Sequence, residues 1–161
     1  MNKFEIKSTF TEFTSLQELE PSEKQLIEDA IESSKDAYAP YSEFKVGAAI
    51  YLQNGEIIKG NNQENAAYPS GLCAERIAVF YANAHYPDVP IIKLAITAMR
   101  NNKIVKQPIT PCGSCLQVLL ETQQRFNTEI EIFLYGSEKI IKSPSIEQFL
   151  PMSFSYRSLK G

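Results

Sequence analysis

Cysteine occurs three times in the 161 residues, and all three fall in two short segments, Cys73-Ala74-Glu75 and Pro111-Cys112-Gly113-Ser114-Cys115. Three thiolates hold a zinc ion and leave its fourth tetrahedral position open, as in zinc sites that do chemistry rather than scaffolding. Cys73, Cys112 and Cys115 are therefore the expected ligands of one Zn2+ per chain. Glu75, a carboxylate two residues from the first thiolate, is then a candidate for handling protons.

Plainer assignments compete with this one. A Cys-x2-Cys pair also serves as half of a structural zinc site or as a thioredoxin-like redox pair. A structural site needs four protein ligands, and the lone histidine, His85, lies twelve residues past Cys73 on the same predicted helix. That is roughly 18 Å along a helix at about 1.5 Å per residue, too far for one ion. His85 is read as a surface or helix-end residue. The redox assignment gives Cys73 no task, and cysteine also serves as a small buried apolar residue. Helix periodicity alone does not put Glu75 over the metal, because two positions turn the chain by about 200°. Arg76 is either an exposed helix arginine or a donor to a ligand sulfur, drawing electron density from an ion that three thiolates would leave with a net negative charge.

The elements that must position these groups follow from pattern. Pro21-Ser22-Glu23 looks like a helix start with Ser22 as N-cap, and Leu26, Ile27, Ala30, Ile31 and Ser34 recur at helical spacing. Val46 to Leu52 reads as a strand, Asn54-Gly55 as a tight turn and Ile57 to Gly60 as the returning strand. A polar loop with Pro69 and Gly71 leads to a helix over 73–84. Ile91 to Met99 reads as a buried strand, 112–124 as a helix, and 130–135 and 139–142 as strands. Ser145 is expected to cap a short final helix. Both cysteine segments thus fall at helix N-termini, whose partial positive charge favours thiolate. Strands alternating with helices predict a mixed sheet with helices on both faces.

Composition bounds the rest. The length suits one domain with a real core, and 43% hydrophobic against 22% charged residues is ordinary for a globular chain. No apolar run approaches the roughly 18 residues of a membrane span. Residues 1–5 lack the apolar stretch of a secretory signal. Three cysteines cannot all pair within one chain, so metal-bound thiolates in a reducing cytoplasm are expected. With 16 Lys+Arg against 19 Asp+Glu the net charge is −3, which speaks against a broad basic surface for polymeric nucleic acid. Residues 1–20 read as an arm or edge strand of unknown role, ahead of a single domain over 21–161.

Five blocks of the sequence carry a family resemblance. Cys73-Ala74-Glu75 followed by Pro111-Cys112-Gly113-Ser114-Cys115 matches the three-cysteine form of the zinc nucleobase deaminase signature. Ala39-Pro40-Tyr41-Ser42-Glu43-Phe44-Lys45-Val46-Gly47-Ala48-Ala49, Asn62-Gln63-Glu64-Asn65-Ala66-Ala67-Tyr68-Pro69 and Leu150-Pro151-Met152-Ser153-Phe154 complete the set, in order and at close spacing. The chain resembles the small, homotetrameric, zinc-dependent cytidine deaminases over about 21–154. That resemblance implies an α/β/α sandwich with a five-stranded mixed sheet. It implies hydrolytic deamination of cytidine and deoxycytidine in pyrimidine salvage, with zinc-activated water adding at C4 and Glu75 shuttling protons.

It also implies roles at the matching positions. Asn62 and Glu64, in the block that includes Asn65, would bind a ribose hydroxyl, whose donor and acceptor needs an amide and a carboxylate both meet. Phe44 would pack on the pyrimidine, and Ala74 would offer its backbone N–H to the base carbonyl. Tyr68 would close the pocket together with Phe154 of a neighbouring subunit. Arg76 would support the zinc site, and carbonyls near Pro111 would receive the ammonia. Leu116 stands where the family often has arginine, which removes a family ion pair but none of the chemistry. Rival functions are deamination of a modified nucleoside, editing of a polynucleotide, and a non-catalytic zinc module that binds a partner.

Overall fold

The computed structural model describes residues 1–160. In chain order the elements are β1 (Thr11–Phe13), α1 (Pro21–Lys35), β2 (Phe44–Leu52), β3 (Ile57–Asn61), α2 (Ala74–His85), β4 (Ile91–Arg100), β5 (Lys103–Ile104), α3 (Gly113–Phe126), β6 (Glu131–Tyr135), β7 (Ile140–Ser143) and α4 (Tyr156–Lys160). Short 3-10 turns lie at Leu16–Glu18, Tyr68–Ser70 and Ile146–Phe149. Strand order is β1-β7-β6-β4-β2-β3, with β5 paired to the end of β4.

Five strands, β7 to β3 in that order, form the expected mixed sheet. β4 and β6 run parallel, from Lys93↔Glu131 to Thr97↔Tyr135, and their connection contains α3. The other pairs are antiparallel. Two short strands extend the sheet beyond the expected five. β1 adds to β7 through Thr11↔Lys142 and Phe13↔Ile140. β5 folds back on β4 through the turn at Asn101 and Asn102, both in the left-handed region that asparagine tolerates.

Alternation along the central strands sorts the core into two layers. Ala48, Ile50 and Leu52 of β2, Leu94 and Ile96 of β4, and Ile132 and Leu134 of β6 pack with Ala78 and Val79 of α2 and Leu116, Leu119 and Leu120 of α3. The intervening Ala49, Ala95 and Phe133 face Leu26, Ile27 and Ala30 of α1. A strand covered on both faces reads as a continuous apolar run, as β4 does. Each fully buried Leu or Ile contributes about 1.5–3 kcal/mol relative to exposure.

Local details differ from the sequence expectations. The first helix is capped two residues earlier than Ser22: Glu20 is its N-cap, Pro21 the first helical residue, and the Glu23 carboxylate accepts the Glu20 N–H at 3.2 Å. Proline tolerates that first position because its missing N–H would have no intrahelical partner. The Ser145 segment forms a 3-10 turn rather than an α-helix, without a cap bond from the serine side chain. His85 lies exposed at the end of α2 and stacks on Tyr81, with ring centroids 3.8 Å apart.

Two glycines let helices sit on the sheet. A Cβ on Gly47 would come within 2.0 Å of the Ala30 carbonyl oxygen in α1, and one on Gly60 would meet the first turn of α2.

Candidate active site and metal centre

The two cysteine segments meet at the N-termini of α2 and α3. Cys73 and Cys112 are the N-cap residues, both in extended conformation, with ψ of 153° and 163°. Cys115 lies in the first turn of α3 and is buried. The sulfurs stand 3.8 Å apart for Cys73–Cys112 and 3.5 Å for Cys112–Cys115, and all three lie within 4.8 Å of one another. Thiolates on a tetrahedral zinc at 2.3 Å lie about 3.8 Å apart. The donor set therefore fits zinc in both chemistry and spacing, and no fourth cysteine, histidine or carboxylate joins the cluster among the described residues.

The same geometry places Glu75. Because Cys73 precedes the helix in an extended conformation, the 200° helical offset does not apply between them. Glu75 is the second residue of α2 and is 5% exposed. Burial pushes its carboxyl above its ordinary value, and the negative Cys73 sulfur adds to this against a bond from the residue's own backbone N–H. Without metal the cluster shares protons unevenly. The Cys115 thiol donates to the Cys73 sulfur and, with Arg76, outweighs burial to bring Cys73 down to about 5, while Cys115 is pushed up. Arg76 Nη2 donates to Cys73 Sγ at 3.5 Å.

A cleft of about 530 Å3 opens over these groups, within the range that takes a small molecule. Of the residues singled out from sequence, Asn62, Glu64, Asn65, Tyr68, Cys73, Ala74, Glu75, Arg76 and Cys112 line it. Ala74 is the first residue of α2, so its N–H has no intrahelical acceptor. Asn62 is held at both ends by β2, donating to the Phe44 carbonyl at 2.9 Å and accepting from the Val46 N–H at 2.7 Å. Each end keeps a further donor or acceptor. Glu64 accepts from the Tyr41 N–H at 2.9 Å, the Ser42 N–H at 3.3 Å and the Ser42 hydroxyl. The Ser42 bond leads in holding its carboxyl below the ordinary value. Asn65 closes a local turn on the Ala67 N–H.

Four of the singled-out residues stand outside the cleft lining. Cys115 and Pro111 are buried. Phe44 opens β2 with its ring centroid 5.8 Å from the Arg100 guanidinium. Phe154 is 61% exposed, and its carbonyl accepts from Gln117 Nε2 at 3.0 Å. The cleft also contains residues that the sequence analysis gave no role, among them Tyr41, Ser42, Leu72, Ile109 and Thr110. Tyr41 packs edge-on to Tyr68 at 6.4 Å. Tyr41 and Ser42 stood inside a quoted block, but nothing in their spacing points at a pocket.

A three-layer α/β fold with three thiolates and a buried carboxylate under a cleft defines a zinc-dependent hydrolase of the deaminase class. The model of the cytidine and deoxycytidylate deaminase zinc-binding region matches residues 20–128. A cytidine deaminase of Halalkalibacterium halodurans is 36% identical over 132 residues, covering 81% of this chain and 92% of that protein. One from Sporosarcina psychrophila is 35% identical over 137 residues, covering 84% and 93%. The crystal structure of cytidine deaminase from Burkholderia pseudomallei superposes with a TM-score of 0.66 at 36% identity, covering 81% of this chain and 97% of that one. The chain belongs to the cytidine deaminase family, in its small zinc-dependent type, and Cys73, Cys112 and Cys115 hold the zinc.

Proposed function

We propose that the chain hydrolyses cytidine and deoxycytidine to uridine and deoxyuridine, releasing ammonia, as a step of pyrimidine salvage in the cytoplasm. The working unit is the single domain over 21–161. The observation that carries this is the opening of the thiol cluster and buried Glu75 into the same cleft as Asn62 and Glu64.

Zinc, when bound, supplies the Lewis acidity that lets a water act as a nucleophile near neutral pH. Glu75 accepts a proton as the water oxygen bonds to C4 and delivers it to N3. It then takes the remaining proton from the new C4 hydroxyl and passes it to the amino nitrogen as the C4–N bond breaks and the C4 carbonyl forms, so one water enters and one ammonia leaves. Its raised pKa suits a group that must both take and give protons near neutrality. The free Ala74 N–H orients the base carbonyl. Asn62, Glu64 and Asn65 meet the sugar hydroxyls, Phe44 packs on the ring, and Tyr68 covers it. Arg76 draws charge from the Cys73 sulfur, and carbonyl oxygens near Pro111 receive the ammonia.

Phe154 lies exposed outside the cleft of its own chain. That supports its use by a neighbour, in a homotetramer whose subunits complete one another's sites. Zinc-loaded protein mixed with cytidine should lose near-ultraviolet absorbance as uridine forms. Bound zinc with no turnover of any pyrimidine nucleoside would instead mark a non-catalytic zinc module.

A further inference from the structure

The Ser42 hydroxyl joins two parts of the cleft that the chain brings together from different loops. It donates to the Glu64 carboxylate and accepts the Phe44 N–H at 3.1 Å. The Phe44 carbonyl is taken by Asn62 at 2.9 Å, so the first residue of β2 is fastened on one side by Ser42 and on the other by Asn62. Glu64 in turn grips the 41–42 backbone through two N–H groups. Between these bonds Glu43 sits at φ 53°, in the left-handed region that non-glycine residues seldom occupy. Such a conformation persists where its surroundings hold it in place. Here the Glu43 N–H bonds the Ala39 carbonyl at 3.1 Å while the flanking residues are tied to Glu64 and Asn62.

We propose that Ser42 is a positioning residue for the sugar end of the cleft: its hydroxyl fixes the Glu64 carboxylate and the start of β2 in one arrangement, and so sets substrate affinity rather than the rate of the C–N bond break. The inference rests on Glu64 meeting the sugar hydroxyl. Glu64 is half-buried in the cleft lining, and without the serine hydroxyl its carboxylate keeps only the two backbone N–H bonds and is held less firmly. Binding then has to order it again, a cost carried by association. Glu75 and the three sulfurs share no hydrogen bond with Ser42, so the chemical step is left alone.

The test compares Ser42→Ala and Ser42→Thr in the full-length, zinc-loaded protein. Ser42→Ala should raise KM for cytidine about tenfold, the scale of one lost charge-assisted bond. Its kcat should stay within about twofold, and Ser42→Thr, which keeps the hydroxyl, should restore KM. A fall in kcat at unchanged KM, or no change in either, overturns the proposal. Hydrogen exchange at the Phe44 amide needs no substrate and should quicken in Ser42→Ala; unchanged protection would also overturn it. Wild-type protein that fails to turn over cytidine would sink the substrate assignment and the affinity effect with it, whereas the Phe44 amide would still report on the clamp.

Discussion

A methyl group on Gly60 would stand 2.4 Å from the carbonyl oxygen of Ala74, and 2.8 Å from the backbone nitrogen of Ala78. Those are backbone atoms in the first turns of α2, and the Ser33 hydroxyl holds the Gly60 carbonyl from the other side at 2.7 Å. Neither partner has a flexible side chain to yield. Gly60→Ala should therefore push the start of α2 off the sheet, carrying Cys73 and Glu75 with it. Overpacking of this kind costs about 1–3 kcal/mol. Denaturant titration should register that loss, and zinc affinity should fall alongside, unlike at a glycine remote from the metal.

Glu75→Ala should separate metal binding from catalysis. The sulfurs that hold zinc are untouched, so bound metal should remain stoichiometric by atomic absorption. Turnover of cytidine should drop by about 10²–10⁴-fold, the usual worth of a positioned acid–base group. Near-normal turnover in that variant would remove Glu75 from the proton path.

Zinc removal should loosen the structure as well as stop the reaction. Cys73 caps α2 and Cys112 caps α3, so the ion ties two helix starts to each other. Ligand that binds only the folded state stabilises it by about 4 kcal/mol at a thousandfold excess over Kd. Scanning calorimetry should show a lower Tm after chelation, restored by added zinc. An unchanged Tm would mean the helix starts hold without metal.

The charge cluster over Phe133 gives a pH dependence of known sign. Lys142 Nζ lies 3.0 Å from both Glu23 and Glu131, and Lys93 lies 3.5 Å from Glu23. Burial works to raise the Glu23 carboxyl, yet the Lys142 hydrogen bond, the Glu20 N–H and the two lysine charges together hold it below the ordinary 4.5. A carboxylate lowered in the folded state stabilises above its unfolded value, and that contribution is lost as pH falls through the folded one. Glu23→Gln should cost about 1–2 kcal/mol at pH 7, less than a fully buried pair because both lysines keep contact with water. The gap to wild type should narrow as pH drops from about 5 toward 3. A gap independent of pH would assign the loss to packing.

The parts of the molecule legible in the sequence were those whose information is local. Cys73 and Glu75 lie two positions apart and Cys112 and Cys115 three, and three thiolates without a usable fourth ligand already mark an open metal site. The Asn54-Gly55 turn and the strand over Val46 to Leu52 are likewise local. What stayed hidden depends on distant segments. Tyr41, Ser42, Ile109 and Thr110 reach the cleft because loops nearly 70 residues apart along the chain converge there, and no periodicity records that. Glu75 was out of reach of helix geometry for a simpler reason: its neighbour Cys73 is an extended cap, not a helical residue. Asn62 looked like ordinary loop polarity because its bonds run to the backbone of β2.

The three-residue strand β1 has a bearing on how the protein survives crowding and heat. It pairs along the outer side of β7, where Glu12 also reaches Lys139 at 2.9 Å. Bare strand edges invite pairing with other chains, and proteins blunt them with short strands and charge. Removing residues 1–13 would lay open the Ile140-Ile141 stretch as a template for a foreign strand. With β1 covering that edge, a chain shortened past it should scatter light at a lower temperature than the intact one.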